Sequence, residues 1–383
     1  MPSPSPSPLP VLVPAPTPFP SPNATPSPAP APAPSPGPAP SPAPAPSPGP
    51  VPTSQAPQSF FAVDNYATSQ NVYPGDLNRF NAKWWSGLAQ ANEGELLQQG
   101  YRYLPSFNTG YFMRFEGFTS VPASTTKQQD PRSCIEIACR LDNSAMLSAV
   151  QSTQRALGGV GNYYDVGNEP DDYYSDDVAP SVFAGQFGAW VDAIKQGDPQ
   201  AKIVGPSIVE FSCCTDGTSH PFGTAGAWFQ AFVTAYEQAH GGAKPPLDVL
   251  SMHLYDFDPN SAQISPAQAD SYLSEVQKFR QEADSLGYRG TPIWITEMGF
   301  LYPPGGPLTS AQSAQITRVL SQLAGSSASL NLQRLFLFTS NDSTVVNADG
   351  LRPLYDPSAS SSPSTPMSLT DYGQIVAKLA GGG

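Results

Sequence analysis

Apolar and polar positions follow two alternating patterns along residues 58–383 of this chain. Short apolar runs predict buried strands, which we assign to Ser59–Asn65, Tyr101–Asn108, Asn162–Gly167, Ala201–Val209, Leu247–Tyr255, Thr291–Phe300 and Leu332–Thr339. Apolar residues at helical spacing predict helices between the later strands, at Ser181–Gln196, Ala225–His240, Pro266–Leu286 and Ser310–Leu323. Because strands that alternate with helices form parallel βαβ units, the pattern predicts an α/β fold.

A closed barrel needs one strand more than these seven, and the third strand is the uncertain one. Cys134–Leu141 is one candidate, although it could begin a helix that reaches Leu157, and Phe112–Phe118 is the other. Either choice predicts a single (β/α)8 TIM barrel. A doubly wound two-domain fold fits less well, because no phosphate-binding glycine turn follows the first strand.

The first 57 residues differ in composition from the rest, with 25 prolines and no Asp, Glu, Lys or Arg. Alternating prolines fix φ and remove amide donors, so neither helix nor sheet can form. An extended polyproline II conformation remains. We therefore predict two parts, a disordered proline-rich tether over residues 1–57 and the barrel domain over residues 58–383.

The formal net charge of −13 argues against nucleic acid as a partner, because phosphate backbones are bound by clustered Lys and Arg. No run reaches the ~20 apolar residues that span a bilayer, so we expect no membrane partner. No clear signal peptide is present, since prolines interrupt the apolar run Leu9–Val13 and no basic residue precedes it. We expect either a trimmed signal or export by another route.

Cysteine usage leaves three alternatives for Cys134, Cys139, Cys213 and Cys214. Their even number permits two disulfides, which would fit an oxidising compartment. The adjacent Cys213 and Cys214 could bridge each other only through a strained peptide, which favours partners elsewhere. Free thiols are the second alternative. A zinc site with His220 is the third, and no paired Cys-x-x-Cys spacing supports it.

Two glutamates stand at the ends of predicted strands, where parallel barrels place their chemistry. Glu169 ends the fourth strand and Glu297 ends the seventh. Glycosidic cleavage needs two carboxyl groups that flank one bond, a protonated one for the leaving oxygen and an ionised one for the anomeric carbon or a water. The fourth and seventh strands face each other across a barrel mouth, so we expect the carboxyl groups to lie ~5 Å apart.

Residues 168–170 (NEP) and 295–297 (ITE) resemble the acid/base and nucleophile motifs of glycoside hydrolase clan A, a group of retaining (β/α)8 enzymes. The resemblance covers roughly residues 58–380. It implies that Glu169 is the acid/base, that Glu297 is the nucleophile and that Asn168 binds the sugar 2-hydroxyl. His253 and Tyr255 match the clan's His-x-Tyr motif at the end of the sixth strand, where the tyrosine contacts the nucleophile.

Residues 84–87 (WWSG), 104–107 (LPSF) and 247–255 (LDVLSMHLY) resemble the small fungal-type endo-β-1,3-glucanase family, the glycosyl hydrolase catalytic core. Trp84, or its neighbour Trp85, could stack on a sugar ring, or the pair could anchor the first helix. Many clan members carry a tryptophan platform at the end of the eighth strand. Here Phe336 or Phe338, or an aromatic residue elsewhere, would have to serve.

Three further residues close to the two glutamates in the sequence are given separate predictions. Trp294 is out of phase with Glu297 along the strand, which predicts that it faces the helices as a core residue. Asp171 and Asp172 are expected to be loop acids, either of which could tune Glu169.

The Ser-Pro and Ala-Pro repeats of the tether resemble the hydroxyproline-rich modules of plant and green-algal cell-wall glycoproteins. This resemblance implies an extracellular or cell-wall location. The chain as a whole is expected to be a monomeric glycoside hydrolase that cleaves β-linked polysaccharide and needs no cofactor or metal. A transglycosylase with the same two glutamates and a non-catalytic glycan-binding wall protein are the alternatives.

Overall fold

The structure is a computed structural model, which describes residues 59–65, 71–87, 92–107, 113–115, 139–141, 143–157, 160–172, 178–212, 223–255, 266–300, 307–340, 351–356, 358 and 362–381. These residues belong to one compact unit. The predicted tether lies outside them, so its form and the boundary at residue 57 stay predictions. Cys134, Cys213, Cys214 and His220 also lie outside, and the side chain of Cys139 is not described, so the predictions for the cysteines stay open.

Within the described part of the chain, parallel strands close into a barrel. In chain order the strands are β1 (Phe61–Asn65), β2 (Trp84–Gly87), β3 (Arg102–Leu104), β4 (Ser106–Phe107), β5 (Met113–Phe115), β6 (Cys139–Leu141), β7 (Tyr163–Val166), β8 (Lys202–Val204), β9 (Leu250–Leu254), β10 (Ile293–Met298) and β11 (Leu332–Phe338). Ladders join them in the orders β3-β2-β1-β11-β10-β9 and β4-β7-β8. Parallel bridges from Val204 to Val249 and from Ile208 to Met252 join β8 to β9. Only Pro105 separates β3 from β4, which together form one barrel strand, so the ring of eight is complete.

The predicted (β/α)8 barrel is confirmed, but the position of the uncertain strand is corrected. The sequence predicts the missing strand after Tyr101–Asn108, and this is wrong. The missing strand is β2, which precedes Tyr101–Asn108 in the chain, so that Tyr101–Asn108 contributes the third strand of the barrel and not the second. Parts of both sequence candidates, β5 and β6, instead pair with each other as an antiparallel ladder in a separate sheet. The four residues of β2 begin with two tryptophans, so their sequence shows no alternation of apolar and polar positions.

Helices connect the strands: α1 (Pro74–Asn78), α2 (Glu93–Gln98), α3 (Asn143–Leu157), α4 (Pro180–Gly197), α5 (Ala225–Ala239), α6 (Pro266–Ser285), α7 (Ser310–Leu330) and α8 (Asp371–Leu379). Three of the four predicted helices agree to within one residue at each end, whereas α7 continues beyond Leu323. Its buried face extends through Ala324, Ser327 and Leu330. The helix ends where Asn331 adopts a φ of 50°, a left-handed conformation that asparagine tolerates. None of the described helices combines the length and the apolar character needed to cross a membrane.

Side chains that point into the barrel form an apolar layer and a polar layer. The apolar layer contains Ala62, Trp84, Leu104, Val204, Val249, Trp294 and Phe336. The polar layer consists of buried side chains, four of which stand two residues beyond a member of the apolar layer, namely Asp64, Ser86, Ser251 and Thr296. It also includes Asp165 and Ser207, which hydrogen-bond to one another and to Ser251, while Ser207 also hydrogen-bonds to Thr296. Residues two apart share one face of a strand. The polar layer therefore also faces inward, nearer the carboxyl ends of the strands.

Trp294 lies inside the barrel, whereas its spacing from Glu297 predicts that it faces the helices. Its ring centroid is 4.9 Å from that of Tyr163 and 5.0 Å from that of Trp84. The prediction fails because β10 contains an irregularity: Ile295 pairs with Met252 while Glu297 pairs with the next residue of β9. The extra residue, Thr296, shifts the alternation by one. Trp294 and Glu297 therefore both face inward.

Candidate active site

A turn with positive φ angles holds Glu169 at the mouth of the barrel. Gly167 has φ 94° and Glu169 has φ 48°, in the left-handed region that favours glycine. A Cβ atom on Gly167 would lie 2.9 Å from the ring of Phe183, so no side chain fits there. The backbone N–H of Glu169 donates to the carbonyl of Ser207 over 2.8 Å, which fixes the turn against the chain beyond β8.

The side chains of Glu169, His253 and Glu297 converge on one place. One carboxylate oxygen of each glutamate and a ring nitrogen of His253 all lie within 4.8 Å of one another. His253 Nδ1 is 2.8 Å from Glu169 Oε1 and 3.5 Å from Glu297 Oε2. The glutamate side chains are 15% and 21% exposed, whereas that of His253 is 1% exposed. Both carboxylates are therefore open to a ligand, and the imidazole is not.

Tyr255 contacts the second glutamate from beyond the end of β9. Its hydroxyl donates to Glu297 Oε2 over 2.7 Å. The tyrosine ring packs edge-to-face on Phe338, with centroids 6.0 Å apart, and on Leu351. A Cβ atom on Gly299 would lie 2.7 Å from the ring of Tyr255. The glycine that follows Met298 therefore leaves the space this ring occupies.

Charge is distributed so that His253 is a cation between two carboxylates. Burial by itself lowers the pKa of His253, but Glu297, Glu169 and Asp165 outweigh it and raise the pKa to about 9. Burial raises the pKa of Glu297, and the charge of Glu169 adds to this, while His253 and the hydroxyl of Tyr255 lower it. The imidazolium and the tyrosine hydroxyl are therefore the two groups that favour an ionised Glu297.

We expect Tyr255→Phe to lower kcat about 10–100-fold, because a hydrogen bond to a charged group is worth about 1.5–3 kcal/mol. The variant removes a donor that lowers the pKa of Glu297. That pKa therefore rises, and the acidic limb of the kcat/KM profile moves to higher pH. Rate measurements on a hydrolysed glycan across pH would check both effects.

Tyr288→Phe is the matched control for this substitution. Tyr288 is another buried tyrosine, and its hydroxyl donates to the carbonyl of Pro245 over 3.0 Å. We expect this variant to lose some stability while its pH profile stays in place. An unshifted acidic limb in Tyr255→Phe would contradict the assignment of the 2.7 Å contact to control of Glu297.

The other predicted site residues divide into those beside the glutamates and those elsewhere. Asn168 lies directly before Glu169 and forms a parallel bridge with Ser207, at the mouth. Phe336 belongs to the apolar layer, so of the two candidate platform rings Phe338, which packs on Tyr255, is the one that lies beside the site.

Trp84 is not brought to the glutamates, contrary to the prediction that it binds the sugar. It lies in the apolar layer, with the guanidinium of Arg334 4.8 Å from its ring centroid. Trp85 faces the other way and is fully buried in the larger core. Both tryptophans belong to β2 and not to the first helix.

Asp171 and Asp172 lie in the loop after β7, as the sequence predicts, and both are buried. Asp171 Oδ1 accepts the backbone N–H of Val209 over 3.1 Å. Burial raises the pKa of Asp171 to about 8, and the charge of Glu169 contributes in the same direction. A carboxyl group of raised pKa thus lies two residues from Glu169.

Sequence reasoning missed the polar layer beneath the glutamates. Asp64 Oδ2 accepts from Ser86 Oγ over 3.0 Å, and Asp64 Oδ1 has no hydrogen-bond partner within the described residues. Burial raises the pKa of Asp165 to about 7, although its bond to Ser207 lowers it. A signal for this layer exists in the sequence, since Ser251 stands two residues before His253 in an otherwise apolar strand and must share its face.

A family model described as the glycosyl hydrolase catalytic core matches residues 124–363, more than half of the 383-residue chain. The chain belongs to this family. The resemblance seen in the sequence motifs is thereby confirmed, and the protein is a glycoside hydrolase of the α/β-barrel type. No curated protein sequence is similar enough to the chain to count as a match.

Solved structures of glycosidases share the fold at low sequence identity. An endo-β-1,3-glucanase of family 128, subgroup II, from Pseudomonas viridiflava is 18% identical, with a TM-score of 0.51 over 84% of this chain and 97% of the other. A glucosidase from Croceicoccus marinus is 13% identical, with a TM-score of 0.52 over 86% and 68%. The family 39 enzyme from Xanthomonas axonopodis pv. citri is 14% identical, with a TM-score of 0.50 over 85% and 67%.

Proposed function

We propose that this protein is a retaining glycoside hydrolase that cleaves β-linked glucan, with Glu297 as nucleophile and Glu169 as acid/base. The observation that carries the proposal is the placement of one oxygen from each carboxylate within 4.8 Å of the other. Retaining enzymes hold their carboxyl groups about 5–5.5 Å apart, whereas inverting enzymes leave about 6.5–9.5 Å for a water. The spacing therefore favours direct attack by a carboxylate.

In the first step, a Glu297 oxygen bonds to the anomeric carbon while the glycosidic C–O bond breaks. The departing oxygen takes a proton from Glu169. Glu169 receives this proton from the imidazolium of His253, whose pKa is about 9 and whose Nδ1 is 2.8 Å from the carboxylate, and His253 is left neutral. Tyr255 donates to Glu297 and so holds it ionised for the attack.

In the second step, Glu169 is a carboxylate and takes a proton from an incoming water. The water oxygen bonds to the anomeric carbon, and the bond to Glu297 breaks. Glu169 passes the proton of the water back to His253, which restores the imidazolium and both carboxylates, and the two inversions give net retention.

Hydrolysis of a glycan panel tests this proposal. We expect the purified protein to release reducing sugar from β-1,3-glucan, with cellulose, mannan and xylan as the comparison substrates. Proton NMR of the first products should show the β-anomer before mutarotation. First products in the α-form would refute retention, and no release from any glycan would refute the hydrolase.

Two rival functions are outcomes of the same experiment. Longer products in the presence of an added acceptor oligosaccharide would show a transglycosylase, which passes the sugar of the Glu297 intermediate to a glycan instead of to water. Glycan binding without any product would show a non-catalytic wall protein. The two carboxylates in reach of one another favour the hydrolase over this second rival.

The choice of β-1,3-glucan and of an extracellular site rests on further support. The Pseudomonas viridiflava structure, similar in fold, is that of an endo-β-1,3-glucanase, and the matched family is a glycosidase family. The proline-rich composition of residues 1–57 supports action outside the cell, at a wall or matrix. We further propose that Phe338, beside Tyr255, takes the place of the platform ring under the cleaved sugar.

A further inference from the structure

A buried hydroxyl joins the three strands that carry the candidate catalytic groups. Ser207 Oγ lies 2.8 Å and 2.9 Å from the two carboxylate oxygens of Asp165, 2.8 Å from Ser251 Oγ and 2.9 Å from Thr296 Oγ1. All four residues are at least 95% buried. We call these four residues the Ser207 cluster.

An ionised Asp165 restricts the hydrogen bonds of the Ser207 cluster. A serine hydroxyl has one proton and two lone pairs. A carboxylate only accepts, so Ser207 must donate to Asp165. The lone pairs of Ser207 can then accept from the hydroxyls of Thr296 and Ser251, and Ser251 also hydrogen-bonds to Asp165. The charge of Asp165 therefore fixes Ser207 as the donor in the hydrogen bond between the two residues.

Asp165, Ser251 and Thr296 each lie within four residues of a group of the active site in the sequence, and Ser207 contacts one through its backbone. Thr296 is the extra residue of the irregularity in β10, directly before Glu297. Ser251 stands two residues before His253 on the same strand face. The carbonyl of Ser207 itself accepts the backbone N–H of Glu169 over 2.8 Å. The cluster thus connects to both glutamates and to the imidazole.

We propose that Asp165 and Ser207 are positioning residues, which fix the places of Glu169, His253 and Glu297 through this hydroxyl cluster. The inference rests on the proposed function and extends it to residues that do not touch the sugar. Without the Ser207 hydroxyl, the side chain of Thr296 loses a hydrogen bond and its backbone can move. The carboxylate of Glu297, the next residue, would then move as well. A misplacement of about 1 Å at a reacting group costs about 10²-fold in rate.

The Ser207 cluster also acts on His253 through the charge of Asp165. The charge of Asp165 is one of the causes that raise the pKa of His253. Other ionisable groups facing this space are Asp64 from β1, Glu169 beyond β7 and Glu297 from β10. Removal of the Asp165 charge should therefore lower the pKa of His253.

The test compares Asp165→Asn, Thr296→Val and Thr296→Ser with the unchanged protein. Asn and Val keep the shape and remove the charge or the hydroxyl, and Ser restores the hydroxyl. We expect Asp165→Asn and Thr296→Val to lower kcat about 10–100-fold with KM nearly unchanged, and Thr296→Ser to retain most of the rate. NMR titration of labelled histidine should show a lower midpoint for His253 in Asp165→Asn, and the chain has only three histidines to assign.

Asp198→Asn separates positioning from a merely structural role. Asp198 is a fully buried aspartate whose carboxylate accepts the backbone N–H groups of Gly161 and Asn162 and the hydroxyl of Tyr164. We expect this control to lower the melting temperature and to leave the His253 midpoint where it is. An unchanged midpoint in Asp165→Asn would overturn the proposal, as would equal rates in Thr296→Val and Thr296→Ser. The titration needs no activity, so it decides the coupling even where the unchanged protein cleaves no glycan and the proposed function itself fails.

Discussion

Glu297→Ala should lose hydrolysis almost completely, with kcat lower by roughly 10⁴-fold or more, as expected when a covalent nucleophile is removed. The carboxylate that bonds to the anomeric carbon is gone, and Tyr255 and His253 lose the group they hold ionised. Binding of the glycan should persist, because the remaining side chains at the mouth are unchanged. Rates on the glycan identified by the panel, together with isothermal titration of the same glycan, measure the two effects.

Azide distinguishes a missing nucleophile from a damaged fold. The alanine leaves space for a small anion, which can attack an aryl glycoside that has a good leaving group. We expect azide to restore turnover in Glu297→Ala and to yield the glycosyl azide of inverted configuration. Glu275→Gln, at a buried glutamate that binds Lys278 and the backbone of Ser212, should retain full activity. Residual hydrolysis near the normal rate in Glu297→Ala would contradict the nucleophile assignment.

The barrel and the two glutamates could be predicted from the sequence because both depend on local patterns. Parallel strands buried on both faces appear as apolar runs, and a carboxylate at the end of such a run stands out. Glu169 and Glu297 end two of these runs, and the order of strands in the ring follows from right-handed connections between them. The distance between their side chains then follows from the position of two strand ends at one mouth.

The second strand and the inward position of Trp294 could not be predicted in the same way. β2 is four residues long and is held by its neighbours β1 and β3, so its local sequence carries little information. Trp294 depends on the extra residue in β10, which is visible only from the pairing with β9. Both errors concern long-range pairing, which a pattern within one segment does not encode.

The polar layer illustrates a different limit. The sequence around Asp64, Asp165 or Ser207 does not indicate that these residues are buried together. Their role depends on contacts between residues far apart in the chain. Ser207 and Thr296 are 89 residues apart and touch through their hydroxyls. Buried polar groups of this kind mostly find their hydrogen-bond partners on other strands, so the layer is specified by the closed barrel and not by any one strand.

Glu169→Gln should lower kcat by about 10²–10⁴-fold on natural glycans, because the amide can neither protonate the leaving oxygen nor deprotonate water. The loss should depend on the leaving group. An aryl glycoside that departs as a stable anion needs no proton, so its first step should proceed at nearly the normal rate and the covalent intermediate should accumulate. Pre-steady-state release of the aryl group, followed by slow turnover, would show this as a burst.

The pH profile and a second use of azide complete the assignment of Glu169. In the unchanged protein we expect the alkaline limb to report deprotonation of His253, whose pKa is about 9, because Glu169 then loses its source of a proton. The amide removes one partner of that 2.8 Å bond, so the limb should disappear from the profile of Glu169→Gln. In Glu169→Ala, azide should attack the covalent intermediate and give the glycosyl azide of retained configuration, opposite to the product of Glu297→Ala. Glycosyl azides of the same configuration from the two variants would contradict the assignment of nucleophile and acid/base to glutamates on opposite faces of the sugar.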